Sequence, residues 1–353
     1  MKIKLILPFV VFLAASGVSA RDKPGLREVD RIRLAEAFRL GKSIGDRVWE
    51  DWNKAPFAVL LVTPEHEFLI RHPRPSEDFT LAGYDPLLKS DVYFRKRKFG
   101  TNFLATFPAV GGVSTIVVGQ AENTDKKTST PWIATVLHEH FHQLQDSQPN
   151  FYAETEALNL SRGDKTGMCM LNYAFPYDSP EVKQQFSVLT RLLIEALQAK
   201  NTSIFSNKLA AYLEARQQLQ KLLSPDDYKY LSFQMWKEGV ARYTEYRLAK
   251  LAATEYKPSK GFRALKDFTS FDVVANQIMS ATLRELSTLR LEEYKRVAFY
   301  PLGAGEGLLL DRVNPKWQRH YFVDKFYVEK YFSAARQMRS NTFYERIRSL
   351  PAS

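Results

Sequence analysis

The hydrophobic pattern of the chain changes at Pro131, and this change restricts the fold more than any other feature. Before it, short runs rich in β-branched and aromatic residues are separated by Pro and Gly, a pattern typical of strands. After it, apolar residues recur at helical spacing over much longer segments. The sequence therefore predicts an α+β protein, in which a small, mostly antiparallel sheet is followed by a largely helical part.

The predicted elements divide the chain into two subdomains behind a short leader. The first, residues 21–130, contains an opening helix at 26–51 and strands at 57–62, 67–70, 102–107 and 113–118. The second, residues 131–353, contains helices at 131–146, 180–199, 206–223 and 225–254, with further helices towards the C-terminus. Three of these helices are predicted to have a capping hydroxyl followed by proline at the first helical position: Thr130-Pro131, Ser179-Pro180 and Ser224-Pro225.

The first twenty residues have the pattern of a secretion signal. Lys2 and Lys4 form a charged start, residues 5–15 are apolar, and Val18-Ser19-Ala20 offers a small-residue cleavage site. The apolar run is too short to span a bilayer, and no later segment reaches that length. We therefore expect cleavage after Ala20, a secreted or periplasmic location, and no membrane span.

Charge and cysteine content restrict the partners and the source of stability. The formal net charge is +11, which favours association with anionic cell-surface polymers. The cationic run at residues 95–98 lies in a strand-like stretch without a nucleic-acid recognition motif, so we expect a solvated face and no nucleic-acid binding. Cys169 is the only cysteine, and we expect a small buried apolar residue without a disulfide partner in the chain.

The helix predicted at 131–146 carries the sequence His138-Glu139-His140-Phe141-His142, an H-E-x-x-H pattern. Residues four apart project from the same face of a helix, so His138 and His142 can bind one Zn²⁺ ion per chain. Glu139, about 100° further round the helix, can reach a metal-bound water as a general base. His140 points away from both and is expected to be structural. The other histidines carry no ligand pattern: His66, His72 and His320.

A catalytic zinc site needs a third protein ligand, and two regions offer a carboxylate. Glu154 and Glu156 lie shortly after the motif, and Glu238 lies in the later segment W-K-E-G-V-A-R-Y-T-E-Y, residues 236–246. That segment resembles the E-G-x-A-x-Y-x-E glutamate helix of gluzincin metallopeptidases of the aminopeptidase-N type. The resemblance covers residues 131–146 and 233–248, and it implies a zincin-like fold with Glu238 as the third ligand. Residues 180–223 would then be a long insertion between the metal-binding elements.

Further side chains are candidates for supporting roles. Gly239 would let two helices approach closely enough to share one ion. Glu245, on the same helical face as Glu238, could accept the outer N–H of a zinc-bound histidine or form a surface salt bridge, and Arg242 is a second neighbour on that face. The resemblance also implies a downstream tyrosine as oxyanion donor, for which Tyr294 and Tyr300 are the candidates. The glycines at 303, 305 and 307 favour close helix packing over a phosphate loop.

These patterns predict metal-assisted hydrolysis of a peptide or protein substrate, with Glu139 activating the water. In zincin-like folds an edge strand aligns the extended peptide, and the strand at 113–118 is predicted to do so here. Two other functions stay open from the sequence. One is a secreted binding protein with a structural or degenerate zinc site, and the other is a zinc amidase that acts on cell-wall peptides.

Overall fold

The computed structural model describes residues 23–164 and 167–332. The predicted signal at residues 1–20 lies outside the described residues. Helix accounts for 58% of the structure and strand for 12%, so the predicted α+β class is confirmed. The opening helix α1 spans Glu28–Val48 and buries Leu34, Phe38 and Ile44, as its helical spacing predicts.

A six-stranded sheet follows α1, in the order β3-β4-β2-β1-β6-β5. The strands are β1 (Val59–Val62), β2 (His66–Ile70), β3 (Thr80–Asp85), β4 (Ser90–Lys96), β5 (Leu104–Val110) and β6 (Val113–Gly119). The β1–β6 pair is parallel and every other pair is antiparallel, which confirms the mostly antiparallel sheet. Four strands match predicted runs. Strands β3 and β4 were not predicted, although the last two residues of β4 belong to the cationic run at 95–98, which was described as strand-like.

The prediction that the strand at 113–118 forms an edge of the sheet is wrong. This strand, β6, lies between β1 and β5 and is hydrogen-bonded on both sides. The edge next to α2 is β5, because the parallel pairing of β1 with β6 covers the side of β6 that a simple hairpin would leave open. Any chain that adds to the sheet at this end must therefore pair with β5.

Helices and the loops between them make up the rest of the described chain. The helices are α2 (Ser129–Asp146), α3 (Phe151–Ala157), α4 (Cys169–Asn172), α5 (Pro180–Gln198), α6 (Thr202–Leu222), α7 (Pro225–Gln234), α8 (Val240–Glu255), α9 (Lys260–Arg263), α10 (Phe271–Thr288), α11 (Leu291–Tyr294), α12 (Phe299–Val313) and α13 (Gln318–Tyr321). The predicted helix at 225–254 corresponds to α7 and α8, joined by a π-helical turn at Met235–Gly239. Within the described ranges, no helix is long and apolar enough to cross a membrane.

The predicted helix caps have different outcomes. Ser179 and Ser224 each accept a hydrogen bond from a backbone N–H in the first turn, and proline follows both, as predicted. The predicted cap at Thr130 is wrong, because α2 begins at Ser129, two residues before the predicted start, and Thr130 is already helical. The Thr130 hydroxyl instead donates to the backbone oxygen of Thr269 (2.7 Å), which ties the start of α2 to the segment before α10.

One hydrophobic core includes residues from both parts of the chain. Helix α2 lies at its centre, in contact with α1, α8, β5 and β6, and most of its residues are buried on all sides. This arrangement explains why the apolar pattern of α2 is nearly continuous. It also places the middle of α2 beside the sheet edge and beside the α7–α8 helix pair.

Close backbone contacts fix the π-helical turn against α12. A Cβ atom at Gly239 would lie 2.5 Å from Cα of Gly303, so neither helix tolerates a side chain there. Gly305 and Gly307 face Leu193 and Tyr243 at similarly short distances, which confirms the prediction of close packing. The expectation that Gly239 lets its helix approach the histidine helix is wrong, because Gly239 contacts α12 instead of α2.

Candidate metal centre

Three side chains from two distant segments converge where α2 passes the π-helical turn. His138 and His142 project from one face of α2, with ring centroids 5.0 Å apart. The Oε2 atom of Glu238 lies 3.4 Å from Nε2 of His142 and 4.0 Å from Nε2 of His138. The structure therefore brings together the two histidines of the motif and the glutamate implied by the resemblance.

The distances between these atoms fit a shared divalent metal ion. Ligands about 2.1 Å from a tetrahedral ion lie roughly 3.4 Å from one another, close to the distance between His142 and Glu238. In each Nε2–Oε2 contact, the lone pair of a histidine nitrogen faces a carboxylate oxygen. Both atoms are hydrogen-bond acceptors, so a proton or a cation must lie between them at this distance. Glu139 is close as well, since potential ligand atoms of His138, Glu139 and His142 all lie within 4.8 Å of one another.

The outer nitrogen of each histidine faces a polar partner. Nδ1 of His138 lies 3.6 Å from Oε2 of Glu245, and Nδ1 of His142 lies 2.6 Å from Oε1 of Gln145. The Gln145 amide nitrogen donates to the Tyr321 hydroxyl (2.7 Å) and to the backbone oxygen of Lys237 (3.1 Å). Because this fixes the amide, its oxygen faces the imidazole, and the Nδ1 of His142 carries the proton. Both rings thus present Nε2 inward.

Glu139 is held by the edge strand of the sheet. Its Oε2 accepts a hydrogen bond of 2.7 Å from the hydroxyl of Thr106 on β5, and the carboxylate is buried. Two turns further along α2, Asp146 accepts a hydrogen bond from Ser114 (2.7 Å) and pairs with Lys237 (3.0 Å), the residue before Glu238. These contacts fix α2 against both the sheet and the π-helical turn.

Electrostatics in the centre follow from the burial of opposite charges side by side. Burial opposes protonation of His142, but the adjacent Glu238 carboxylate outweighs it and raises the pKa of His142. Burial likewise opposes ionisation of Glu238, yet the two histidines hold the pKa of its carboxyl well below the usual range. Burial also opposes ionisation of Glu245, but His138 and the nearby cations Lys126 and Arg242 outweigh it and lower the pKa of the Glu245 carboxyl. The centre therefore favours positive charge at the His142 imidazole.

Of the two candidate tyrosines, the structure brings only Tyr300 to this centre. The Tyr300 hydroxyl interacts with the Glu238 carboxylate and accepts a hydrogen bond from Arg296. Burial, followed by the Glu238 charge, raises the pKa of Tyr300 well above its usual value, so the hydroxyl keeps its proton. Tyr294 lies further out on the cavity wall, with 37% of its surface exposed.

The alternative ligands and neighbours lie elsewhere. Glu154 pairs with Lys325 (2.8 Å), and Glu156 is an exposed residue of the cavity wall. Neither carboxylate contacts the two histidines, whereas Glu238 does. Arg242 points to Glu285 on α10, at 2.6 Å, instead of to a histidine. His140 is structural, as predicted: its ring stacks on Phe57 at 3.7 Å, and burial lowers its pKa to about 3.

The centre lies in the wall of a cavity of about 1750 Å³. Its walls come from β5, α2, α3, the segment before α4, α4 itself, the π-helical turn, α8, α10 and the stretch from α11 to the start of α12. Cys169 also lines it and is only half-buried, so the expectation of a fully buried cysteine is wrong; burial raises the pKa of its thiol.

Sequence reasoning missed several residues of this centre. Gln145 was not singled out, although its i+3 spacing from His142 would have placed it on the same helical face. Thr106 and Arg296 have no sequence signal of this kind, because a sheet edge and a turn bring them to the centre.

The chain matches no protein-family model, and no similar curated protein or solved structure was found. The geometry of the centre is therefore the basis for a functional proposal.

Proposed function

We propose that this protein is a zinc-dependent metallopeptidase. The observation that carries the proposal is the convergence of the Nε2 atoms of His138 and His142 on the Glu238 carboxylate. The Nδ1 atom of His142 is hydrogen-bonded to Gln145, and that of His138 faces Glu245. These three residues would hold Zn²⁺, which when bound polarises a scissile carbonyl and acidifies a water molecule. Two nitrogens, one carboxylate and an open cavity side match a catalytic zinc site better than a closed structural one.

Glu139 is the general base in this proposal. Its carboxylate lies next to the ligand histidines and accepts one hydrogen bond, from Thr106, which positions it without neutralising it. A carboxylate placed in this way can take a proton from the attacking water and pass it to the leaving amine. Thr106 is a positioning residue, since it acts through Glu139.

The free edge of β5 supports an extended peptide as the substrate. The backbone oxygen of Phe103 accepts from Gly119 on β6, so alternation along the strand turns the amides of Leu104 and Thr106 to the other side. Proline at 108 has no N–H, a feature typical of a strand edge. A peptide paired with this edge would cross the centre next to Glu139. Because residues 1–20 have the pattern of a secretion signal, we also propose that hydrolysis takes place outside the cytoplasm.

Removal and restoration of the metal test the function directly. Mature protein loaded with Zn²⁺ is expected to cleave members of a broad peptide library, followed by mass spectrometry. A chelator should abolish cleavage and added Zn²⁺ should restore it. Cleavage that persists in metal-free protein would rule out the proposal. One bound zinc without cleavage would favour the binding-protein alternative, and cleavage of cell-wall peptides alone would favour the amidase.

Tyr300 is expected to donate to the oxyanion, since its hydroxyl stays protonated beside Glu238. Replacement of Tyr300 with phenylalanine should lower kcat by about 10²–10³-fold with little change in KM, because the donor acts mainly in the transition state. Tyr294→Phe is the matched control and should retain kcat. Equal losses in the two variants would contradict the assignment of Tyr300, as would a zinc content that falls in Tyr300→Phe.

A further inference from the structure

Exposed apolar side chains are concentrated around the mouth of the cavity. Among the residues that the structure describes, thirteen large hydrophobic side chains are exposed, and seven of these line the cavity. We call these seven the apolar collar: Leu104, Tyr152, Met168, Leu171, Val273, Tyr294 and Val297. Clustered exposed apolar surface beside a cavity marks a site of binding, whereas scattered exposed side chains need no explanation.

The apolar collar comes from parts of the fold that are far apart in sequence. Leu104 is on the edge strand β5, Tyr152 on α3, Leu171 on α4, Val273 on α10, and Val297 on the turn between α11 and α12. One amphipathic helix therefore does not account for it. With Tyr294 on α11, six separate elements each expose an apolar side chain to the same opening.

Several of the charged groups inside the cavity are compensated by partners in the protein. Lys237 pairs with Asp146 and Arg242 with Glu285, both within 3.0 Å, while Arg296 bonds to Tyr300 beside Glu238. Ion pairs of this kind leave little net charge to attract a charged ligand. The apolar collar is therefore expected to contribute to ligand binding mainly through hydrophobic contacts.

We infer that the cavity binds an extended stretch of unfolded polypeptide that carries bulky apolar side chains, and that the enzyme cleaves it internally, because β5 continues on both sides of Thr106, which contacts Glu139. The cavity volume of about 1750 Å³ exceeds the 300–1,000 Å³ typical of small-molecule sites. The free edge of β5 offers backbone hydrogen bonds along the peptide, and the apolar collar receives its side chains. A lipid surface fits less well, since it is flat and the apolar collar surrounds a concave opening. Cleavage rests on the proposed function, whereas binding does not.

Binding is best measured in the Glu139→Gln protein, both with Zn²⁺ and without it. The probe is a fluorescent twelve-residue peptide with leucine at alternate positions, compared by anisotropy with the same peptide carrying serine instead. The leucine peptide should bind and the serine peptide should not. Leu171→Asp and Val273→Asp should each weaken binding by about tenfold or more, since each removes one apolar contact.

Matched controls separate the apolar collar from general surface effects. Ile204 is as exposed as Leu171, both at 53%, and Leu81 (43%) is comparable with Val273 (42%), yet neither control lies at the cavity. Ile204→Asp and Leu81→Asp should leave peptide affinity within about twofold. Equal weakening by the controls, binding that the apolar collar variants do not change, or failure of the leucine peptide to bind would each overturn the inference.

Two further measurements test the occupant and the mode of cleavage. If the apolar collar variants reduce sedimentation with phosphatidylglycerol vesicles and leave peptide binding intact, the surface docks on lipid and the inference is wrong. In active protein, a leucine peptide blocked at both ends should still be cleaved, and cleavage of unblocked peptides alone would overturn the internal mode. Loss of zinc binding and hydrolysis with peptide binding intact would contradict only the proposed function.

Discussion

Glu139→Gln is expected to reduce peptide turnover by about 10²–10⁴-fold while one Zn²⁺ per chain stays bound. Glutamine has nearly the same shape and can still accept the hydrogen bond from Thr106, so the fold of the centre is kept. It has no charge and cannot take a proton from water, so the chemical step loses its base. Turnover of a cleavable library peptide and zinc content by mass spectrometry measure both effects on the same sample.

The control for this prediction is Glu156→Gln, an identical change at an exposed residue of the same cavity wall. It should retain wild-type turnover, because it removes the same charge from the cavity without touching the centre. Unchanged turnover in Glu139→Gln would exclude Glu139 as the base. Loss of zinc from that variant would instead assign Glu139 to the metal ligands.

Glu238→Ala is expected to lower zinc content from one ion per chain to nearly none after dialysis. Loss of a partner behind a ligand weakens metal binding by about 10–100-fold, and loss of a ligand itself should exceed that. Only His138 and His142 would remain, and Glu238 is the carboxylate closest to their inward nitrogens. Titration with a competing chelator gives the affinities of wild type and variant.

Glu154→Ala and Glu156→Ala are the matched variants, since both carboxylates were alternatives from the sequence. Each should keep full zinc occupancy, because Glu154 pairs with Lys325 and Glu156 is exposed. Zinc lost from either of them, or retained in Glu238→Ala, would reverse the assignment of the third ligand. Circular dichroism of each variant distinguishes loss of metal from loss of fold.

The helical part of the fold could be predicted because its signal is local. The spacing of apolar residues and the serine caps at Ser179 and Ser224 place the starts of α5 and α7 to within a residue or two. Strand β3 has no such signal, since its residues are exposed or half-buried and do not alternate. The identity of the edge strand could not be predicted either, because the parallel pairing of β1 with β6 joins segments far apart in the chain.

In the candidate centre, too, some residues could be predicted from local sequence and others could not. The geometry of a helix is enough to place His138, Glu139 and His142 relative to one another. Glu238 could be identified as a ligand only through the resemblance to the gluzincin glutamate helix, because its approach to α2 depends on the packing of distant helices. Tyr294 and Tyr300 could not be separated from the sequence, since the helical turn between them, Lys295–Ala298, decides which one reaches Glu238.

The π-helical turn at Met235–Gly239 affects how the sequences of homologues should be compared with this one. Such a turn is an α-helix with one additional residue, so a single insertion or deletion interconverts the two forms. Deletion of one residue there would preserve both histidines and the glutamate in an alignment, yet it would rotate the carboxylate by about 100° relative to the preceding helix. A homologue with all three residues but a shorter interval between Gln234 and Val240 is therefore expected to lack the metal centre.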